Sequence, residues 1–230
     1  MPVDRDTMIE VININKEYRR AGTIIHALID INLTIKSGDF VMIQGPTGCG
    51  KSTLLNVLSG LDLPDSGRII FDGENIARAK EDRLAKIRRQ KVGFVFQDYN
   101  LISTLTAMEN IEALLWPTVL SSKEIETRAI NALRDIGMLD RKDHYPVEMS
   151  GGEKQRVALA RAIVSKPRVI FGDEVSGNLD PESEKMIMNL LKKINEDYET
   201  TMVIVTHRET VAKYGNVVVK MDKGRVLSVK

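Results

Sequence analysis

The stretch Phe40-Val-Met-Ile-Gln44-Gly45-Pro-Thr-Gly-Cys-Gly50-Lys51-Ser52 decides the fold. Phe40 to Gln44 is a short apolar run, near-continuous as strands buried in parallel sheets are. Gly45, Gly50, Lys51 and Ser52 then meet the pattern G-x-x-x-x-G-K-[ST] in full. Leu54, Leu55 and Leu58 follow at helical spacing. Strand, glycine loop and helix is the context a phosphate loop requires, and these flanks argue against a mere glycine turn capping a helix. Glycines let backbone N–H groups wrap a β-phosphate with no Cβ in the way. Lys51 is placed for the β- and γ-phosphates, and Ser52 for Mg²⁺. Gly45, Pro46, Thr47, Gly48, Cys49 and Gly50, with Thr53 after Ser52, complete the expected cradle for ATP.

Cys49 is the only cysteine. It excludes an intramolecular disulfide and suits a reducing compartment. Beside a helix N-terminus its thiol is a candidate for reactivity, blocked by bound nucleotide. The plainer reading is a small filler residue.

Working outward, the 230 residues suffice for one domain, or one domain with a subdomain. A hydrophobic fraction of 43% and a charged fraction of 28% are ordinary for a globular protein. A net charge of +1 argues against a general nucleic-acid surface. The densest basic stretch, Lys86 to Lys91, reads as a solvated helix face before a strand at Val92–Phe96. No apolar run approaches the roughly twenty residues of a membrane helix. The N-terminus, with Asp4, Arg5, Asp6 and Glu10, does not read as a signal peptide. A cytosolic protein is therefore expected, with any membrane-spanning part on another chain.

Residues 8–44 alternate like strands, at Ile9–Ile14, Ile31–Ile35 and Phe40–Gln44. Ser66-Gly67 and Asp72-Gly73 bracket a strand at Arg68–Phe71. From about 105 to 148 the chain turns helical and charged, with helices expected at Ala107–Leu115 and Ser122–Ile136 and Gly137 as a C-cap. Strands at Arg168–Phe171 and Met202–Val205 then alternate with helices, which indicates a mostly parallel sheet. One such helix follows Asp180 as N-cap and Pro181 as first residue, with Ile187, Leu190, Leu191 and Ile194 on one face. The expected fold is α/β: a phosphate-loop core with a mostly parallel sheet, an N-terminal antiparallel β subdomain and a helical insert. Residues 1–97 and 156–230 form the core and about 98–155 the insert, all within one domain spanning 1–230.

Two further constellations carry chemistry. Val169-Ile-Phe-Gly-Asp-Glu174 is an apolar strand ending in two acids, at the sheet edge where ligands bind. Asp173 suits Mg²⁺, and Glu174 is placed to polarise an attacking water as general base. Met149-Ser-Gly-Gly-Glu-Lys-Gln-Arg156 opens a helix with backbone N–H groups and a positive dipole end, a second anion site. Two anion sites about a hundred residues apart suggest two chains packed head to tail with ATP between them.

With these three motifs in order, the sequence resembles the nucleotide-binding subunit of ABC transporters over essentially its whole length. Within them it is similar to the ATPases of lipoprotein-releasing, macrolide-export and antimicrobial-peptide-resistance systems, and to a cell-division ATPase. Phe96-Gln-Asp-Tyr-Asn-Leu-Ile102 and Gly177-Asn-Leu-Asp-Pro-Glu182 carry that finer likeness. The resemblance implies that Tyr18 stacks on adenine and that Gln97 touches Mg²⁺ and the attacking water. It implies that Ser150, Gly151 and Gly152 contact the γ-phosphate held by a second protomer. Asp180 would link the two sites, and His207 would hydrogen-bond the γ-phosphate. It further implies an ATP-dependent homodimer, peripheral on the cytoplasmic face of the membrane, that powers a separate integral permease for export or extraction. A regulatory ATPase that signals to a membrane partner is the alternative. Four positions depart from the commonest pattern: Met149 for Leu, Glu153 for Gln, and Val175-Ser176 for Pro-Thr. The acids themselves are intact, so an active enzyme is expected.

Overall fold

The computed structural model describes residues 6–20 and 22–230; Asp4 and Arg5 lie outside the described residues. Two long strands come first, β1 (Thr7–Arg20) and β2 (Thr23–Lys36), then β3 (Phe40–Gln44) and helix α1 (Lys51–Leu58). β4 (Ser66–Phe71), β5 (Glu74–Asn75), α2 (Glu81–Lys91) and β6 (Val92–Phe96) follow. The helical stretch holds α3 (Ala107–Glu112), α4 (Ser122–Asp135) and α5 (Gly151–Ile163). The chain returns through β7 (Val169–Asp173), α6 (Pro181–Tyr198), β8 (Thr201–Thr206), α7 (Glu209–Ala212), β9 (Val217–Asp222) and β10 (Arg225–Val229).

The larger sheet runs β10-β9-β3-β8-β7-β6. It is parallel from β9 to β6, and β10 is antiparallel at one edge. The smaller sheet, β2-β1-β4-β5, is antiparallel. Both faces of the parallel sheet are buried, which is why its strands are apolar without alternation. Val41, Ile43, Phe171, Val203 and Val205 enter a core shared with α1, α2 and the small sheet. Their neighbours Phe40, Met42, Ile170, Met202 and Ile204 enter a second core with α3 to α6.

The first two strands are longer than the alternation at Ile9–Ile14 and Ile31–Ile35 indicates, because bulges interrupt the pattern. Asn13 and Asp30 adopt positive φ there. Asparagine side chains take over the ladder bonds: Asn13 N–H donates to Asn32 Oδ1 and Asp30 N–H to Asn15 Oδ1. Ser66 and Gly67 belong to β4 instead of bracketing it. The helix expected to reach Leu115 ends at Glu112, since Pro117 cannot continue a helix and disfavours α geometry before it. Ile136 caps α4, and Gly137 after it adopts φ +65°, the left-handed turn a helix C-terminus uses. In α6, Ile187, Leu191 and Ile194 are buried and Leu190 half-buried; Met188 joins them.

Gly93 in β6 lies directly under α5: a Cβ there would sit 2.6 Å from the Ala162 carbonyl oxygen. Gly93→Ala is therefore expected to cost about 1–3 kcal/mol by overpacking, read as a lower urea midpoint. An unchanged midpoint would show that β6 and α5 are not held at this distance.

Candidate functional site

The parallel register brings the site together. Gln44 pairs with Thr206, Asp173 with Val205 and Phe96 with Asp173, so β3, β8, β7 and β6 end at one edge. The loops carrying Gly45–Gly50, His207, Glu174 and Gln97 all leave from it. Gly45 and Gly50 are obligatory. A Cβ on Gly45 would meet the Met221 carbonyl oxygen at 2.3 Å, and one on Gly50 the Ala27 carbonyl oxygen at 2.4 Å. Gly50 also takes φ +103° as it opens α1. Lys51 is buried, and its Nζ donates to the carbonyls of Gly45 and Pro46, both at 2.9 Å. A cavity of about 420 Å³ lies over the loop, lined by Thr47, Gly48, Gly50, Lys51, Ser52 and Thr53, with Tyr18 and Glu174 on its walls.

Cys49 faces the other way. It is 5% exposed, and a Cβ on Gly45 would come within 2.7 Å of its Sγ. Its carbonyl accepts from the Gly224 N–H. The filler reading describes it, and its thiol does not line the cavity.

Ser52 Oγ donates to Asp173 Oδ1 at 3.2 Å. Burial pushes the Asp173 carboxyl above the usual aspartate value; the Ser52 hydroxyl pulls it back and the Glu174 charge raises it again. Hydroxyl and half-buried carboxylate together are hard oxygen donors of the kind Mg²⁺ takes alongside substrate phosphates. Among the described residues no group of three or more His, Cys, Asp and Glu could hold a metal unaided. Glu174 takes φ +49°, a conformation uncommon outside glycine and asparagine. Its carboxylate oxygens lie 2.6 and 2.8 Å from His207 Nδ1. Gln97 is exposed at the end of β6, its amide donating to Asn178 Oδ1 at 3.1 Å, and it does not line the cavity.

Tyr18 Oη donates to Asp62 Oδ2 at 2.7 Å, and Lys16 Nζ lies 5.2 Å from its ring centroid. Burial and the Asp62 carboxylate raise the phenol to about 12. One ring face thus meets a cation, and the ring stays a neutral platform at the cavity wall.

Ser150, Gly151 and Gly152 do not line the cavity. Ser150 caps α5: its Oγ accepts from Glu153 N–H, and Glu153 Oε2 accepts from Ser150 N–H. That backbone N–H, with the Ser150 hydroxyl, holds the Glu153 carboxyl below the usual range. A Cβ on Gly151 would meet Tyr99 Oη at 2.9 Å and one on Gly152 Ser183 Oγ at 3.0 Å. Asp180 is exposed and caps α6, accepting from the N–H groups of Glu182 and Ser183.

Several residues escaped the sequence reading. Arg161 on α5 donates to the carbonyls of Asn100 and Tyr99 at 2.5 and 2.8 Å, tying α5 to the segment after Gln97. Gln155, fully buried, donates to the Val175 carbonyl at 2.7 Å. Lys223 and Gly224, with His26 and Ala27, also line the cavity. Asp222-Lys-Gly224 is legible as a hairpin turn, and Lys223 and Gly224 both take positive φ. Nothing local says that the turn lies against the phosphate loop.

A family model described as ABC transporter matches residues 28–177. An uncharacterized ABC transporter ATP-binding protein of Methanocaldococcus jannaschii, MJ1508, is 42% identical over 96% of this chain and 99% of its own length. The macrolide export ATP-binding/permease protein MacB of Bdellovibrio bacteriovorus is 39% identical over 96% of this chain, which spans 34% of that protein. The dimeric structure of a post-hydrolysis state of the ATP-binding cassette MJ0796, bound to ADP and Pi, superposes with a TM-score of 0.89 at 40% identity, covering 97% of this chain and 98% of that one. With its phosphate loop, strand-end acids and Ser150-Gly-Gly152 helix start in one α/β frame, the chain belongs to the ABC transporter family and is an ATPase of that family.

Proposed function

We propose that this ATPase works as a head-to-tail homodimer that closes around two Mg-ATP. The observation that carries the reading is the separation, within one chain, of the phosphate-loop cavity from the α5 N-terminus. A second protomer supplies Ser150, Gly151 and Gly152 to the first protomer's nucleotide. MJ0796, so similar over its whole length, is dimeric with ADP and Pi.

In each site Tyr18 stacks on adenine, and the backbone of Gly45–Gly50 with Thr53 cradles the phosphates. Lys51 leaves the loop carbonyls for the β- and γ-phosphates. Ser52, Asp173 and Gln97 hold Mg²⁺, which neutralises charge developing on the phosphate oxygens when bound. Glu174 takes a proton from the attacking water, and His207 turns from Glu174 to donate to the γ-phosphate. Asp180, at the start of α6, lies between the two sites. Because the γ-phosphate joins the protomers, ATP favours the closed dimer and hydrolysis removes the bridge. Residues 1–97 and 156–230 act as the core and about 98–155 as the helical arm, all in one domain spanning 1–230.

That cycle drives a separate integral membrane subunit in export or extraction of a substrate, from the cytoplasmic face of the membrane. MacB, in which a related cassette is joined to a permease by name, supports this partner. So does a groove of about 490 Å³ lined by Leu61, Phe94, Phe96, Leu114 and Pro117, with Arg88 and Arg161 at its sides. Trp116, 55% exposed, sits next to it in sequence. No described helix is long and apolar enough to cross a membrane.

Glu174→Gln is expected to lower ATP turnover by about 10²–10⁴-fold while the protein still elutes as a dimer with Mg-ATP. A variant that stays monomeric and hydrolyses normally would reject both the shared site and Glu174 as base. Leu114→Glu with Trp116→Glu is expected to release the chain from the membrane fraction of its own cells while ATPase activity in solution persists. Unchanged membrane association would place the partner elsewhere.

A further inference from the structure

We propose that Glu184 is a positioning residue for hydrolysis, clamping the loops of Glu174 and His207 to the first turn of α6; this rests on the roles given to those two residues above. Glu184 and Ser176 are 9% and 4% exposed. Ser176 Oγ donates to Glu184 Oε2 at 3.0 Å, and Arg208 Nη1 reaches the same oxygen at 2.5 Å. Ser176 lies two residues after Glu174, and Arg208 one residue after His207. The contacts therefore close a ring. It runs from Glu174 along the chain to Ser176, across to Glu184, across to Arg208, back to His207 and through its imidazole to the Glu174 carboxylate.

Each of the ring's loops has a second fastening. Gly177 N–H donates to the Glu174 carbonyl at 2.8 Å, and Arg208 N–H to Thr206 Oγ1 at 3.1 Å. Glu184 N–H donates to the Asp180 carbonyl at 2.8 Å, so the clamp stands one helical turn from the α6 cap. A buried carboxylate bonded on two sides resists displacement: moving Arg208 leaves its charge unpaired, and moving Ser176 breaks a buried hydrogen bond. Glu184 thus holds the general base and the γ-phosphate donor at a set separation, and it joins both to the α6 N-terminus. It touches neither substrate nor reacting atoms.

The test is steady-state ATPase kinetics on the full chain with Glu184→Gln, Arg208→Ala, Arg208→Lys and the Glu184→Gln/Arg208→Ala double variant, each with its Tm. Glu184→Gln is near-isosteric and keeps an acceptor for Ser176, so it decides even where Arg208→Ala folds poorly. Misplacement of the catalytic pair is expected to lower kcat by about 10–100-fold, with KM for ATP changed by no more than about twofold. The double variant is expected to lose no more than the worse single one, because the ring opens once. Arg208→Lys is expected to recover most of kcat. Lower Tm with wild-type kcat would make the cluster a fold stabiliser only and overturn the proposal, as would losses that multiply in the double variant. Glu174→Gln run alongside separates the two readings. Normal turnover there sinks the site assignment and the clamp with it; lost turnover there, with normal kcat in Glu184→Gln, sinks the clamp alone.

Discussion

The register of the parallel sheet is the constraint on which the site depends. A one-residue slip of β7 against β8 would send Asp173 and Phe171 to the opposite face. Asp173 would lose Ser52, and Phe171 would leave the core it shares with Val203 and Val205. Burial on both faces forbids that slip, since Ile170 and Ile204 are as fully enclosed from the other side. The hydrophobic cores therefore bring the strand ends that carry phosphate loop, acids and histidine to one edge, and the polar contacts there fix the loops beyond them.

The two helix starts present their N–H groups in different ways. α1 opens on Gly50 without a side-chain cap, so its first N–H groups face the cavity over the loop. α5 is capped by Ser150 and Glu153, which consume the N–H groups of both residues. The N–H groups of Gly151 and Gly152 lie between those two. A Cβ at either would crowd the Tyr99 hydroxyl or the Ser183 side chain. The glycines thus keep a flat, donor-rich helix end, as an anion held by another chain would need.

The elements bearing a strong local signal were legible in the sequence. The strand, glycine loop and helix at Phe40–Leu58, the apolar strand β7 running into two acids, and α6 with Asp180 as cap and Pro181 as first residue each carry their own local pattern. The alternation shows only part of the bulged hairpin of β1 and β2, because its asparagine-filled irregularities break the two-residue period. The capping box of Ser150 and Glu153 follows a Ser-x-x-Glu spacing noted above only for its Glu in place of Gln. What could not be read is long-range pairing between polar residues of no motif. Arg161 with Tyr99, Gln155 with Val175 and Glu184 with Arg208 depend on how helices cross the sheet. Cavity walls supplied by Ala27 and Gly224 are of the same kind.

Contacts of that kind also tie the parts to one another. β6 contributes Phe94 and Phe96 to the groove and ends just before Gln97. Phe94 stacks on Phe96 at 5.7 Å and on Phe171 of β7 at 6.1 Å, two residues before Asp173. Arg161 and Gln155 bind α5 to the carbonyls beyond β6 and β7. A force on the groove therefore meets close-packed aromatic rings, the buried Gln155 hydrogen bond and the Arg161 contacts. Packed cores of this kind shift between discrete arrangements or stay put. A partner pressing on Phe94 and Phe96 would accordingly act on Gln97, Asp173 and the α5 start as one body, and binding at either end would bias the other through the same contacts.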